Sequence, residues 1–285
     1  MKQVAIFAKV HDPRCQGVAS ELVAWLEERN CKPLVDTHLA RHVGYARGLT
    51  EKQIRDRAEL VVVLGGDGTL ISVARLFSSR QVPIVGVNLG SLGFLTEITV
   101  EQMYPVLEQC LADSHRITER MMLDVSVTRG DQEISRCQVL NDAVINKGAL
   151  ARIIELEARV NGDFLTTFKA DGLIISTPTG STGYSLSAGG PIVQPLMKCV
   201  LVTPICPHTL TNRPIVLSYQ SIIRITVKSS FDEMVYLTLD GQVGVELQEG
   251  DCIEVCRAET TTNLVTSPEK DYFAILRAKL KWNER

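Results

Sequence analysis

The strongest constraint on the fold is Leu60-Val61-Val62-Val63-Leu64, an unbroken apolar run that ends in Gly65-Gly66-Asp67-Gly68-Thr69. Alternation would mark a strand wetted on one face. A continuous run of this kind marks a strand buried on both. Such a strand needs helices above and below it, which predicts a parallel sheet with helical crossovers. The neighbouring segments agree. Val4–Ala8 and Pro83–Val87 read as strands, with Pro33–Val35 as a short one. Val18, Leu22, Trp25 and Leu26 lie at helical spacing within Gly17–Arg29, and Leu70, Val73, Ala74 and Phe77 do so within Thr69–Ser78. Gln102–Ala112 is expected to be helical, and Gln53–Arg57 a helix or loop. The prediction is an α/β domain with a doubly wound parallel sheet over residues 1–115, carrying the glycine turn.

After residue 116 strand signals dominate. They cover Leu123–Thr128, Gln138–Ile145, Ile153–Val160, Phe164–Phe168, Leu173–Ser176, Leu201–Thr203, Ile222–Val227, Tyr236–Leu239, Val243–Leu247 and Cys252–Val255. Asn161-Gly162 is a hairpin signal, because a tight primed turn needs positive φ at both positions. Residues 116–267 are therefore expected to form a β-rich, sandwich-like domain. Phe273, Leu276 and Leu280 return to helical spacing, so residues 268–285 are expected to end the chain in a helix.

Composition removes several classes of function. The net charge is −3 and aromatics make up 5% of the chain. With a pI near 6.0, neither a basic field nor a stacking platform for nucleic acid is available. No apolar run approaches the roughly 18–20 residues that cross a bilayer. Lys9 and His11-Asp12 interrupt the N-terminal apolar stretch below the length of a signal core, so it reads as a first strand. The eight cysteines form no CxxC pair and no zinc spacing, which suits reduced thiols in the cytoplasm.

Four stretches carry residue types suited to chemistry. In Gly65–Thr69, a glycine turn between strand and helix lets backbone amides approach phosphate. The turn is neither a Walker loop, lacking the Lys, nor GxGxxG, since Ile71 replaces the third Gly. Asp67 has two readings: a helix cap, or a carboxylate that meets a metal or a reacting hydroxyl. Asn88–Thr96 follows the next buried strand and should emerge at the same sheet edge, where ligands bind in such folds. Asn141-Asp142, near the end of a predicted strand, suits either a ribose diol or an ordinary turn. Residues 176–190 hold seven Ser or Thr and four Gly. So many hydroxyls need partners, and a loop wrapped on a polar ligand, with Tyr184 as one contact, supplies them. Asp240-Gly241-Gln242 reads as a hairpin turn, and His208 and Arg213 flank a possible phosphate position.

Gly65–Thr69, Asn88–Thr96, Asn141-Asp142, Asp171–Pro191, Pro207–Pro214 and the ending Asp271-Tyr272-Phe273 to Lys279-Leu280-Lys281-Trp282 together resemble the bacterial NAD kinase family. The resemblance covers about residues 60–282. It implies phosphorylation of the 2′-hydroxyl of the adenosine ribose of NAD, giving NADP, with ATP or another nucleotide and a divalent metal, Mg²⁺ or Mn²⁺. It also implies an α/β domain, a β-sandwich, a C-terminal helix returning to the first domain, and a homodimer or homotetramer. By position, Asp67 matches the catalytic acid and Gly68 accompanies it. Gly65, Gly66, Gly68 and Thr69 match the phosphate-donor loop. Asn141 and Asp142 match a dinucleotide-holding pair whose second member is often Glu. Arg152, Lys169 and Asp171 fall at further dinucleotide positions, and position 169 is linked in the family to the choice between NAD and NADH. Thr182, Gly183, Tyr184, Ser185, Leu186 and Ser187 match the adenosine segment, with Gly183 in place of the usual Ala. Gln242 matches a contact beside the Asp-x-Gln turn. No metal ligand from the protein is implied.

Two rival functions share some of these features. A diacylglycerol-type lipid kinase carries the same GGDG turn, although residues 171–191 are polar and an amphipathic membrane helix is absent. A catalytically silent NAD-binding regulatory module would keep the dinucleotide loops but has no use for Asp67.

Overall fold

The computed structural model of the chain describes residues 1–9, 12–90, 92–148, 153–209, 211–228, 234–267 and 269–282. Its contacts divide it into two compact units. One comprises residues 1–119 with 262–285, the other residues 120–261.

The first unit opens with β1 (Gln3–Ala8), α1 (Pro13–Glu28), β2 (Lys32–Val35), α2 (Thr37–His42), α3 (Glu51–Arg57), β3 (Leu60–Leu64) and α4 (Asp67–Leu76). Next come β4 (Ile84–Asn88), β5 (Ile98–Thr99) and α5 (Val100–Leu111). The strands run parallel in the order β4-β3-β1-β2. β3 is buried at all five positions, as its unbroken apolar run requires. Val4 and Ile6 pack with Leu22, Leu26, Leu39, Val106 and Leu107, which puts α1, α2 and α5 on one face. Phe7 meets Phe77 edge-on, with ring centroids 6.0 Å apart, and this places α4 on the other. Helices on both faces make the sheet doubly wound. α4 begins at Asp67, two residues before the apolar periodicity becomes visible, because Gly66 is its N-cap.

The second unit is strand-rich. It comprises β6 (Ile117–Arg129), β7 (Gln132–Val139), β8 (Asp142–Lys147), β9 (Ile154–Val160), β10 (Asp163–Ala170) and β11 (Gly172–Ser176). A 3₁₀ turn (Thr179–Thr182) and α6 (Tyr184–Ser187) follow. The remaining strands are β12 (Cys199–Ile205), β13 (Ile215–Ser218), β14 (Ile223–Val227), β15 (Val235–Leu239), β16 (Val243–Leu247) and β17 (Cys252–Val265). One sheet has the order β13-β12-β11-β8-β15-β16, and the other includes β10-β9-β14-β17 with β6 and β7. Ile145, Ile175, Val202 and Leu237 of one sheet share an apolar core with Val125, Leu156, Ile225 and Ile253 of the other, so the unit is a sandwich. Asn161 (φ 54°) and Gly162 (φ 93°) form the expected hairpin turn.

One expectation needs correction, and one strand was not anticipated. Gln138–Ile145 is not one strand: β7 stops at Val139 and β8 starts at Asp142. Asn141 and Asp142 therefore stand at a strand's beginning. β13, a short strand after Pro214, left too brief a signal to be anticipated. The chain returns to the first unit through β17, whose Leu264 and Val265 pair in parallel with Ile84 and Val85 of β4. It ends in α7 (Tyr272–Leu280), capped by the Asp271 carboxylate, which accepts from the Ala274 amide at 2.7 Å.

Candidate active site

Asp67 is the first residue of α4, one position past the glycine N-cap, so its side chain is not the cap. It turns instead to the loop after β4. Oδ2 accepts from the Phe94 amide at 2.8 Å. Oδ1 accepts from the amides of Leu95 (3.1 Å) and Thr96 (3.0 Å) and from the Thr96 hydroxyl (3.0 Å). The capping reading is thereby excluded, and the GGDG turn and the Asn88–Thr96 loop are joined at one carboxylate. The glycine turn itself is open. Gly66 and Gly68 are exposed, neither has positive φ, and a Cβ on either would meet nothing within 4 Å. Neither packing nor φ excludes a Cβ at these two positions, and its absence leaves room for a ligand's close approach. Thr69 is half-buried, and its amide donates to the Gly66 carbonyl at 3.0 Å. Ser91 lies outside the described residues.

In the second unit the break between β7 and β8 is built by Asp240, at φ 52° in the turn between β15 and β16. Its carboxylate accepts from the amides of Leu140 (2.9 Å), Asn141 (2.7 Å) and Asp142 (3.2 Å). Three amides leave the ladder for one side chain, and the chain bends. The bend presents Asn141, whose buried Oδ1 has no hydrogen-bond partner. Beside it Asp142 is 6% exposed. Burial, and then the neighbouring Asp240 charge, push the Asp142 carboxyl up to about 7. An unpartnered acceptor next to a buried acid is costly in a resting protein. Such a cost is expected where a polar ligand completes the bonding. In the sequence, Asp240 looked like no more than a turn residue.

The hydroxyl-rich segment divides into two roles. The Ser176 hydroxyl donates to the Thr177 carbonyl at 2.9 Å, and the Thr177 hydroxyl to the Leu140 carbonyl at 2.6 Å. The Ser181 hydroxyl donates to the Pro178 carbonyl at 2.7 Å and accepts from the Val193 amide at 3.0 Å. Ser185, fully buried, pairs with the Thr203 hydroxyl at 3.0 Å. These four are internal struts, so Ser185 has only backbone to offer a ligand. Gly183, Thr182 and Leu186 are half-buried, while Tyr184 and Ser187 are exposed. Gly183 lies against the bend, where a Cβ would come 3.6 Å from Asn141 Nδ2 and 3.9 Å from Asp142 Oδ2. Asn141, Asp142 and Gly183 are thus brought together.

The other sequence-derived residues are placed less centrally. Lys169 is exposed and ion-paired with Glu155 at 2.7 Å. Asp171 is paired with Lys147 at 2.8 Å. Gln242 is exposed, its amide donating to the Leu239 carbonyl at 3.0 Å. His208 and Arg213 are exposed, and Arg152 lies outside the described residues. Among the described residues no three His, Cys, Asp or Glu side chains gather as a metal cage. None of the described helices is long and apolar enough to cross a membrane.

Comparison with known proteins covers both units. Residues 4–115 match the model of the ATP-NAD kinase N-terminal domain, and residues 140–267 that of the C-terminal domain. The chain is 95% identical over 285 residues to the NAD kinase of Trichlorobacter lovleyi, covering 100% of both. It is 65% identical to that of Geobacter sulfurreducens, again over 100% of both. Among solved structures, yeast NADH kinase complexed with NADH has a TM-score of 0.93 at 30% identity, covering 100% of this chain and 89% of that one. An Archaeoglobus fulgidus NAD kinase in complex with ATP shares the fold, with a TM-score of 0.77 at 23% identity, covering 97% of this chain and 99% of that one.

Proposed function

The chain belongs to the NAD kinase family, and on that premise we propose that it moves the terminal phosphoryl group of ATP to the 2′-hydroxyl of the adenosine ribose of NAD, giving NADP and ADP. It is an enzyme of that family. Neither the lipid kinase nor the silent regulatory module accounts for a match to both NAD kinase domains at such identity.

The observation that carries the residue assignment is the state of Asp67. Its charge is anchored by four donors, three on Oδ1 and one on Oδ2. Such a carboxylate is aimed, and it can accept the proton of an attacking hydroxyl. General-base help of this kind is worth about 10²–10⁴-fold. Phosphoryl transfer otherwise asks for positioning and charge neutralisation. The glycine turn, with Gly66 and Gly68 exposed and Gly65 buried behind them, takes the donor phosphates together with Thr69. Asn141 and Asp142 take the dinucleotide, Asp142 accepting from a ribose diol. Gly183, Tyr184 and the backbone of Thr182–Ser187 serve adenosine, with Arg152, Lys169, Asp171 and Gln242 as outlying contacts. The metal is Mg²⁺ or Mn²⁺ carried on ATP, in keeping with the few protein ligands that a phosphate-bound Mg²⁺ needs.

We place the enzyme in the cytoplasm, a reading supported by eight free cysteines. A homodimer or homotetramer is supported by apolar side chains exposed near the β13 edge: Leu196, Met197 and Val216. The test is direct. Purified protein given NAD, MgATP and, separately, diacylglycerol should form NADP alone. Transfer to the lipid, or none, would overturn the assignment.

A further inference from the structure

We propose that Thr96, backed by Asn88, is a positioning residue that commits one oxygen of Asp67 to the loop and leaves the other to take the substrate proton. The inference rests on the reading of Asp67 as the base. The two carboxylate oxygens are not equivalent. Oδ1 accepts three hydrogen bonds, from the Leu95 and Thr96 amides and the Thr96 hydroxyl. A carboxylate oxygen has about two lone-pair sites, so Oδ1 is saturated. Among the described residues Oδ2 accepts only from the Phe94 amide, and one of its lone pairs remains for a proton.

The Thr96 hydroxyl is itself directed. Asn88 Nδ2 donates to Thr96 Oγ1 at 3.2 Å, so the hydroxyl hydrogen must go elsewhere, and Asp67 Oδ1 receives it at 3.0 Å. The Asn88 amide is fixed in turn, because its Oδ1 accepts from the Gly90 amide at 2.6 Å. Thr96 is fully buried and Asn88 is 8% exposed, so little water competes with the relay. Space enforces the arrangement. A Cβ on Gly93 would overlap both the Asp67 carboxylate and the Thr96 hydroxyl, so the loop closes on Asp67 only with glycine there. Without Thr96 Oγ1, the carboxylate can rotate and share its lone pairs between loop and solvent.

The experiment measures kcat and KM for NAD and ATP in wild type, Thr96→Val, Thr96→Ser, Asp67→Asn and the Thr96→Val/Asp67→Asn double variant, with a thermal melt of each. A group that positions another without binding substrate lowers kcat at constant KM, here by about 10-fold or more with KM within about twofold. Thr96→Ser should restore kcat to within about threefold of wild type. In the Asp67→Asn background Thr96→Val should change nothing further, the signature of two residues acting as a unit. Asn88→Ala should give a smaller kcat loss at unchanged KM, and it stands in if Thr96→Val does not fold. An unchanged kcat in Thr96→Val, or the same factor lost in both backgrounds, would overturn the inference while leaving Asp67 as base. Asp67→Asn retaining more than a tenth of kcat would instead overturn the base assignment beneath it.

Discussion

Asp67 opens α4 and Asp142 opens β8, and their surroundings hold the two acids differently. Asp67 is half-exposed and anchored by loop amides. Asp67→Asn keeps the shape but removes the basicity, so kcat should fall at least about 10²-fold with KM for NAD little changed. Steady-state kinetics checks this. Asp142 is buried, with its carboxyl raised from 3.8 to about 7. Below pH 4 both folded and unfolded chains hold its proton, and the raised group costs nothing. Between pH 4 and 7 the unfolded chain releases a proton that the folded one keeps, so stability drains away as pH rises. Asp142→Asn should therefore melt above wild type at pH 8, by the equivalent of a few kcal/mol at most, with the gap closing toward pH 4. The same variant should bind NAD about 1.5–3 kcal/mol more weakly, the worth of a hydrogen bond to a charged group. Melts and titration calorimetry across pH separate the two effects. Both acids were legible as polar residues in suggestive places. Their partners were not, because Thr96 and Asp240 lie 29 and 98 positions away from the carboxylate or amide they meet.

The strands and helices of the first unit were legible because a residue buried on both faces has no polar alternative, and β3 and β4 are buried at every position. The segment from Ser176 to Gly190 was legible as unusual but not as architecture. Composition counts hydroxyls without telling struts from ligand contacts. The structure identifies the struts: Ser176, Thr177, Ser181 and Ser185 are buried and internally bonded. Gly180 shows how tightly the segment is wound, since a Cβ there would press on the Asn141 carbonyl and lie 2.6 Å from Ser176 Oγ. Gly180→Ala should cost about 1–3 kcal/mol, as overpacking does. It should also weaken NAD binding, because the displaced carbonyl belongs to the Asn141 bend. A melt and a binding isotherm on one preparation read both, and a stable variant with unchanged affinity would show that the segment yields more than its packing suggests.

For the molecule as a whole, the edge at β13 predicts self-association. Val216 is 50% exposed, Met197 53% and Leu196 61%, and the Tyr219 amide ties the end of β13 to Lys198 at 3.3 Å. Open strand edges beside apolar surface invite pairing. Leu196→Lys with Met197→Lys should shift wild type from a dimer or tetramer to a smaller species in light scattering, and an unchanged mass would place the interface elsewhere. The first unit is also discontinuous in sequence, since residues 262–285 complete what residues 1–119 begin. On the ribosome this imposes a wait. β4 emerges early, with β5 beside only Val87 and Asn88. The Ile84-Val85 part of its edge lacks its neighbours, Leu264 and Val265, until almost the whole chain has been made. At roughly 5–20 residues per second that interval is about 10–35 s. For that time an apolar strand, buried in the folded protein, stands with half an edge open, and the newborn chain carries a template for wrong pairing until residues 264 and 265 arrive.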